Sequence, residues 1–113
     1  MSPPRLSATV ITKNEAHRIE RCLASVDFAD ERVVIDSGST DATVTLARRT
    51  GAVVIETDWP GFGAQKNRAI DRATGRWVFS LDADEQVDAS LARAIEAVLD
   101  RDARGEPVAD AYW

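Results

Sequence analysis

Apolar residues in this chain follow two alternating rhythms. Residues 6–11 form a short β-prone run; after a polar break, Ile19, Cys22, Leu23 and Val26 recur at the spacing that lines one face of a helix. Residues 32–36 are again apolar and β-branched. The Ser-Gly-Ser-Thr-Asp turn that follows predicts a second helix, capped by Ser39 or Thr40 and ending near Gly51. Residues 52–56 predict a third strand. The Asp58-Trp59-Pro60-Gly61 turn then leads into a helix from about Gly63, with Gly75 expected to end it as a left-handed cap. Residues 76–81 predict a fourth strand. Asp88 caps a fourth helix with Leu91, Ile95, Val98 and Leu99 along one face, and residues 101–107 are polar and predicted as loop.

Strands alternating with helices imply a parallel sheet with helices on its faces, because parallel neighbours must be joined by a crossover. The expected fold class is therefore α/β, with a mostly parallel sheet and flanking helices. A chain of 113 residues, 44% apolar, supports one modest core. Residues 1–113 thus read as a single domain, with its core at about 6–99 and residues 100–113 as loop or the start of further structure. The charge balance is 14 basic against 19 acidic residues, a net of -5, with the basic residues spread along helices. That distribution argues against nucleic acid as a partner. No apolar run approaches the ~20 residues of a membrane span, and no signal-peptide pattern opens the chain. The lone cysteine, Cys22, suits a reducing compartment. The expected location is cytoplasmic.

In open parallel sheets, ligands gather outside the carboxyl ends of the strands. Four polar segments fall there: Thr12-Lys13-Asn14-Glu15, Asp36-Ser37-Gly38-Ser39-Thr40-Asp41, Thr57-Asp58-Trp59-Pro60-Gly61 and Asp82-Ala83-Asp84-Glu85. Asp82 and Asp84 stand two apart at the end of an extended segment, so they point the same way and both address one cation. Two hard oxygen donors suit Mg2+ or Mn2+ bridging to phosphate oxygens. Taken alone, the same pair reads equally well as a solvated acidic turn ahead of a helix.

Asp36 is placed to accept from the imide N–H of a pyrimidine, with Gly38 allowing close backbone approach. Ser39, Thr40 and Asp41 are accounted for by helix capping. Asn14 and Glu15 suit a base or ribose, although Glu15 equally suits the first turn of a helix. Neither the glycine pattern of a dinucleotide fold nor a P-loop triplet is present. Of Lys66 and Arg68, near the start of the third helix, at most one is expected to turn inward toward a phosphate or base carbonyl. His17 reads as a surface residue, Cys22 and Trp77 as core, and Trp59 as packing over the rim or stacking on a ligand. An aspartate-based phosphatase would carry its acidic pair after the first strand, whereas here the pair follows the fourth.

Four phrases in this order and spacing resemble the family-2 inverting glycosyltransferases of the GT-A fold, in particular bacterial lipopolysaccharide-core glucosyltransferases. They are Ala8-Thr9-Val10-Ile11-Thr12-Lys13-Asn14-Glu15, Val34-Ile35-Asp36-Ser37-Gly38-Ser39-Thr40-Asp41, Gly63-Ala64-Gln65-Lys66-Asn67-Arg68-Ala69 and Ser80-Leu81-Asp82-Ala83-Asp84-Glu85. The resemblance covers roughly residues 6–99. It implies that Thr12, Asn14 and Glu15 surround the nucleoside, that Asp36 is the uracil-binding aspartate, and that Lys66 lies near base and phosphates. It also implies that Asp82 faces the ribose and sugar while Asp84 faces the metal. The implied donor is a UDP-sugar, UDP-glucose foremost, and the implied acceptor a glycan or lipid-linked saccharide.

Members of that family are much longer than this chain and carry the acceptor site and catalytic base beyond the acidic pair. The expectation is an incomplete GT-A fold, either an N-terminal fragment or a truncated reading frame, inactive in transfer by itself. Its base would lie beyond residue 113, and peripheral contact with the inner face of the cell membrane would come through missing segments. The uncovered sheet edge is expected to expose apolar surface and favour self-association. A nucleotide-binding or interaction module without turnover is the competing reading.

Overall fold

Each β-prone run forms a strand and each helical stretch a helix in the computed structural model, which describes residues 5–112. The order is β1 (Leu6–Thr12), α1 (Ile19–Ala24), β2 (Glu31–Asp36), α2 (Thr43–Arg49), β3 (Val53–Glu56), α3 (Phe62–Arg72), β4 (Trp77–Asp82) and α4 (Ala89–Ala103). The strands pair in the order β3-β2-β1-β4 and every pair is parallel, as the alternation predicts.

That order controls where the helices lie. The chain steps outward from β1 to β2 to β3, then doubles back across the sheet to β4. Parallel crossovers are right-handed, so this reversal carries α3 to the face opposite α1 and α2. The core is divided accordingly. On one face Ala8, Val10 and Leu81 meet Ile19, Cys22, Leu23, Val26 and Ala47. On the other, Val33 and Ile35 meet Ala69 of α3, with Ile11 and Ile55 alongside. The direction reverses between β1 and β4, and such a switch point opens a crevice at the carboxyl ends of the strands.

Three expectations need correction. α4 runs through Ala103 rather than giving way to loop at residue 101. It ends in a Schellman turn: Gly105, at φ 76°, donates to the Asp102 carbonyl and Glu106 to that of Arg101, both at 3.0 Å. Of its expected core face only Leu99 is buried, while Ile95 and Val98 are half-buried and Leu91 is 44% exposed. α4 lies along the edge strand β4 and is held at its C-terminal end by polar anchors. Arg5 pairs with Asp100 at 3.0 Å, and Asp102 accepts from both Arg76 and the Trp77 indole. The Arg76 and Trp77 hydrogen bonds hold the Asp102 carboxyl down at about 2. Trp77 is accordingly half-buried at this anchor rather than sunk in the core.

The second correction concerns the start of α2, which follows Ala42 without a side-chain cap; Asp41 instead accepts from the amide and hydroxyl of Thr43. The third concerns Gly75. α3 stops at Arg72, and Gly75 is not among the left-handed glycines. Its role is close approach to β1, since its N–H donates to Ser7 Oγ at 2.8 Å. Among the described residues no helix is long and apolar enough to cross a membrane.

A Cβ at Gly75 would meet Ser7 Oγ at 2.6 Å and Ser7 N at 2.7 Å, and the second of these is backbone in the central strand. Gly75→Ala is expected to destabilise the fold by about 1–3 kcal/mol, the usual cost of forced overpacking. Urea unfolding should show this as a lower midpoint at an unchanged slope.

Candidate functional site

Side-chain parity at the strand ends sets the face toward which each residue leaves the sheet. In register, Thr12 stands beside Asp36 and Ile11 beside Asp82. Alternation therefore sends Thr12 and Asp36 to the α1/α2 face, and Ile11 and Asp82 to the α3 face. Ser37, one residue further along, returns toward α3 and meets Gln65 there.

Asp36 is fully buried, and donors from the chain itself satisfy its carboxylate. Oδ1 accepts from Thr12 Oγ1 at 2.7 Å and from the Ser39 hydroxyl, while Oδ2 accepts from the amides of Gly38 at 3.1 Å and Ser39 at 2.8 Å. The β1–α1 loop is tied to the same segment. Three successive amides donate across to it: Asn14 to Ser39 Oγ, Glu15 to Thr43 Oγ1 and Ala16 to Asp41 Oδ2. Asn14 adopts the left-handed φ of 53°, and its side-chain oxygen accepts from the Thr40 amide at 2.8 Å. Lys13 Nζ reaches the carbonyl of Gly38 at 2.8 Å. Ser39 and Thr40 thus bind two loops together instead of capping α2.

Between these loops and α3 lies an open cleft of about 690 Å3. Thr12, Glu15, Lys66, Asp82 and Asp84 border it, as do Ser37, Trp59 and Phe62. Asn14 and Asp36 do not; the hydrogen bonds within and between the two loops hold them elsewhere. Lys66 Nζ lies 3.6 Å from Asp82 Oδ1 across the cleft, an exposed pair worth less than about 1 kcal/mol. Arg68 turns away to Asp58 at 2.6 Å, and its hydrogen bond and charge hold that carboxyl below the usual range. Of the two cations only Lys66 faces inward.

Two supports of the cleft go beyond what the sequence assigns to their residues. Gln65 is fully buried; its amide nitrogen reaches Ser37 Oγ at 2.9 Å, Thr57 Oγ1 at 2.6 Å and the Asp58 carbonyl at 3.2 Å. It fixes the start of α3 against the loops after β2 and β3. Its spacing of four from buried Ala69 was the available signal. Behind the acidic pair, Ala83 is buried, Cys22 Sγ lies 3.6 Å from the Asp82 carbonyl, and Ser25 Oγ accepts from the Val87 amide at 3.0 Å. Burial, reinforced by the charges of Glu85, Asp84, Asp82 and Glu15, pushes the Cys22 thiol up to about 12.

No three of His, Cys, Asp and Glu converge on a metal position among the described residues. Asp82 and Asp84 nonetheless offer two exposed hard donors on the cleft edge, the kind of partial shell that Mg2+ and Mn2+ complete with substrate phosphates and water. The residues present fit such an ion.

Residues 7–106 match the sequence pattern described as Glycosyl transferase family 2. The chain belongs to this family. Among curated relatives, an uncharacterised glycosyltransferase of Rickettsia bellii is 44% identical over 96 residues, covering 84% of this chain and 33% of the relative. The lipopolysaccharide core biosynthesis glycosyltransferase LpsC of Rhizobium meliloti is 33% identical over 103 residues, covering 83% and 37%. Among solved structures, S. aureus TarS superposes with a TM-score of 0.75 at 27% identity, over 86% of this chain and 32% of that one. Glucosyl-3-phosphoglycerate synthase from Mycobacterium tuberculosis, in complex with Mn2+, UDP and phosphoglyceric acid, gives 0.62 at 29%, over 71% and 33%. The family-2 sheet of this chain is of the GT-A type, and the chain spans roughly a third of the length of these proteins.

Three outcomes test this geometry. Asp36→Ala leaves buried hydroxyls and amides without an acceptor, so it should lower stability by about 3 kcal/mol or more in urea unfolding. The native Cys22 thiol should resist aromatic disulfide reagents at pH 8 and react on unfolding. Because folding raises this thiol from its ordinary 9.0 to about 12, its contribution to stability is whole below pH 9 and is lost as pH climbs from 9 toward 12. Cys22→Ala should flatten that alkaline decline.

Proposed function

We propose that this chain is the donor-binding part of an inverting glycosyltransferase that moves a hexose, foremost glucose, from a UDP-sugar to a glycan or lipopolysaccharide-core acceptor. The observation that carries the reading is one cleft at the sheet's switch point bordered by Asp82 and Asp84 on one side and Lys66 on the other. Two carboxylates facing an inward lysine suit a ligand that brings both metal-seeking and lysine-seeking oxygens, as a nucleoside diphosphate does. The glucosyl-3-phosphoglycerate synthase, a relative in fold and sequence, has been solved with Mn2+, UDP-glucose and glycerol 3-phosphate together.

In this reading Asp84 and Asp82 hold Mg2+ or Mn2+, which supplies positive charge against a leaving diphosphate. Lys66 adds a second positive charge near the phosphates, and Asp82 also faces the ribose and sugar. Thr12 and Glu15 border the nucleoside. Asp36 acts from beneath, holding the loop that presents Ser37, and Asn14 clamps the neighbouring loop to it. Inversion asks a general base to take the acceptor hydroxyl's proton as its oxygen attacks the anomeric carbon opposite the diphosphate. We place that base, and the acceptor site, in the length of the relatives that this chain does not span. The expected setting is cytoplasmic, with peripheral contact at the inner face of the membrane.

A second reading is a catalytically incomplete nucleotide-binding or interaction module, since the cleft is built wholly from this chain's own strands and loops and serves binding with or without turnover. Both readings require donor binding. Calorimetric titration of UDP should show binding that strengthens with Mn2+. Asp84→Ala should weaken the metal-dependent binding at least ~10-fold, the least that even outer partners of metal ligands are worth, with no loss of thermal midpoint because Asp84 is exposed. UDP binding that ignores both Mn2+ and the substitution would refute the assignment.

A further inference from the structure

The cleft has two chemically different borders. Its acidic border lies over β4, where Asp82 and Asp84 stand. The same cleft is bordered by an aromatic pair that the donor reading does not use: Trp59, in the loop after β3, the strand farthest from β4, and Phe62, the first residue of α3. Their ring centroids lie 4.8 Å apart with planes at 90°. Trp59 is 48% exposed and Phe62 70%, although burying such rings is strongly favourable in water. Two large exposed rings that border a cleft mark a surface that a ligand covers.

The loop that presents Trp59 is braced on both sides. Before it, the Thr57 amide donates to the Asp36 carbonyl at 2.8 Å, and Gln65 reaches both Thr57 Oγ1 and the Asp58 carbonyl. Asp58 itself is held by Arg68. After it, Gly61 turns the chain at φ 111° into α3. The edge-to-face contact with Phe62 orients the indole further, so little freedom remains to be lost when a ring stacks on it.

Strand order then assigns the ligand's direction. β4 and β2 are two strand spacings apart, roughly 10 Å. A nucleotide whose diphosphate lies by Asp82 and Asp84 must extend its base away from β4, toward the ends of β1 and β2. There it meets Ser37, whose hydroxyl oxygen accepts from Gln65 and keeps its own proton to donate to a base carbonyl. The flat face of that base needs an apolar partner, and Trp59 lines the same cleft two residues after Thr57, which Gln65 ties to Ser37.

We propose that Trp59, braced by Phe62, is the stacking surface for the nucleobase of the bound nucleoside diphosphate. This rests on the donor-binding reading above, and the test separates the two. UDP, UDP-glucose and inorganic pyrophosphate, each with Mn2+, are titrated calorimetrically into the wild-type chain, Trp59→Ala and Trp59→Phe, with far-UV circular dichroism confirming the fold. Trp59→Ala should weaken UDP about 5- to 150-fold, the range of one aromatic–base stack, leave pyrophosphate unchanged, and be largely rescued by Trp59→Phe. UDP should also quench tryptophan fluorescence in the wild type but not in Trp59→Phe, which retains Trp77 and Trp113.

If the wild type binds UDP and Trp59→Ala binds it equally well, the stacking role is refuted and the donor site stands. Loss of UDP-glucose affinity with UDP affinity intact would place the ring against the sugar and overturn the base assignment. Equal loss of pyrophosphate would mean general collapse of the loop and overturn it too. A wild type that binds no UDP would remove the donor reading and this one together.

Discussion

A carboxylate sealed from water must be supplied with donors, or its burial destabilises the fold by several kcal/mol. Asp36 meets that requirement at the end of β2, and the requirement organises everything around it. Four donors converge on its two oxygens, drawn from β1 and from the turn after β2. The same turn then captures three successive amides of the neighbouring loop. Two segments more than twenty residues apart in sequence therefore form one wall of the cleft, stiffened by hydrogen bonds rather than by apolar packing.

The other wall comes from topology. Only because the chain reverses direction after β3 does α3 cross to the far face, and only there does its first turn bring Lys66 over the Asp82 side of the sheet. Gln65 joins the two walls. As a fully buried amide touching the loops after β2 and β3, it converts the position of α3 into the position of Ser37. The family match and the shared sheet with TarS and the glucosyl-3-phosphoglycerate synthase place this arrangement within a known architecture.

Most of the fold was readable from the two hydrophobic rhythms, since all four strands and four helices lie where the periodicity puts them. The site was readable in part. The sequence shows that Asp36 and Asp82 end parallel strands, with Asp84 two residues on, and it suggests that they share a rim. It does not show register, and register makes Asp36 and Asp82 point to opposite faces. Ser37 was overlooked for the same reason. Helix termini were misread where side chains had tertiary partners: Ser39 and Thr40 look like caps locally but are claimed by Asp36 and Asn14, and Gly75 looks like a cap but answers to Ser7. Trp77 and the face of α4 were taken as core because periodicity reports which residues share a side, not whether anything covers that side.

The uneven attachment of α4 has a dynamic consequence. Its last turns are gripped by Arg5, Arg76 and Trp77 and bury Leu99, whereas its opening turns leave Leu91 in solvent. Such a helix has a gradient of local stability along its length. Beyond the Asp88 cap, which accepts from the Leu91 amide at 2.7 Å, its opening turns therefore open at lower cost than the sheet and should exchange amide hydrogens sooner, while the Val87 amide stays tied to Ser25 behind the acidic loop.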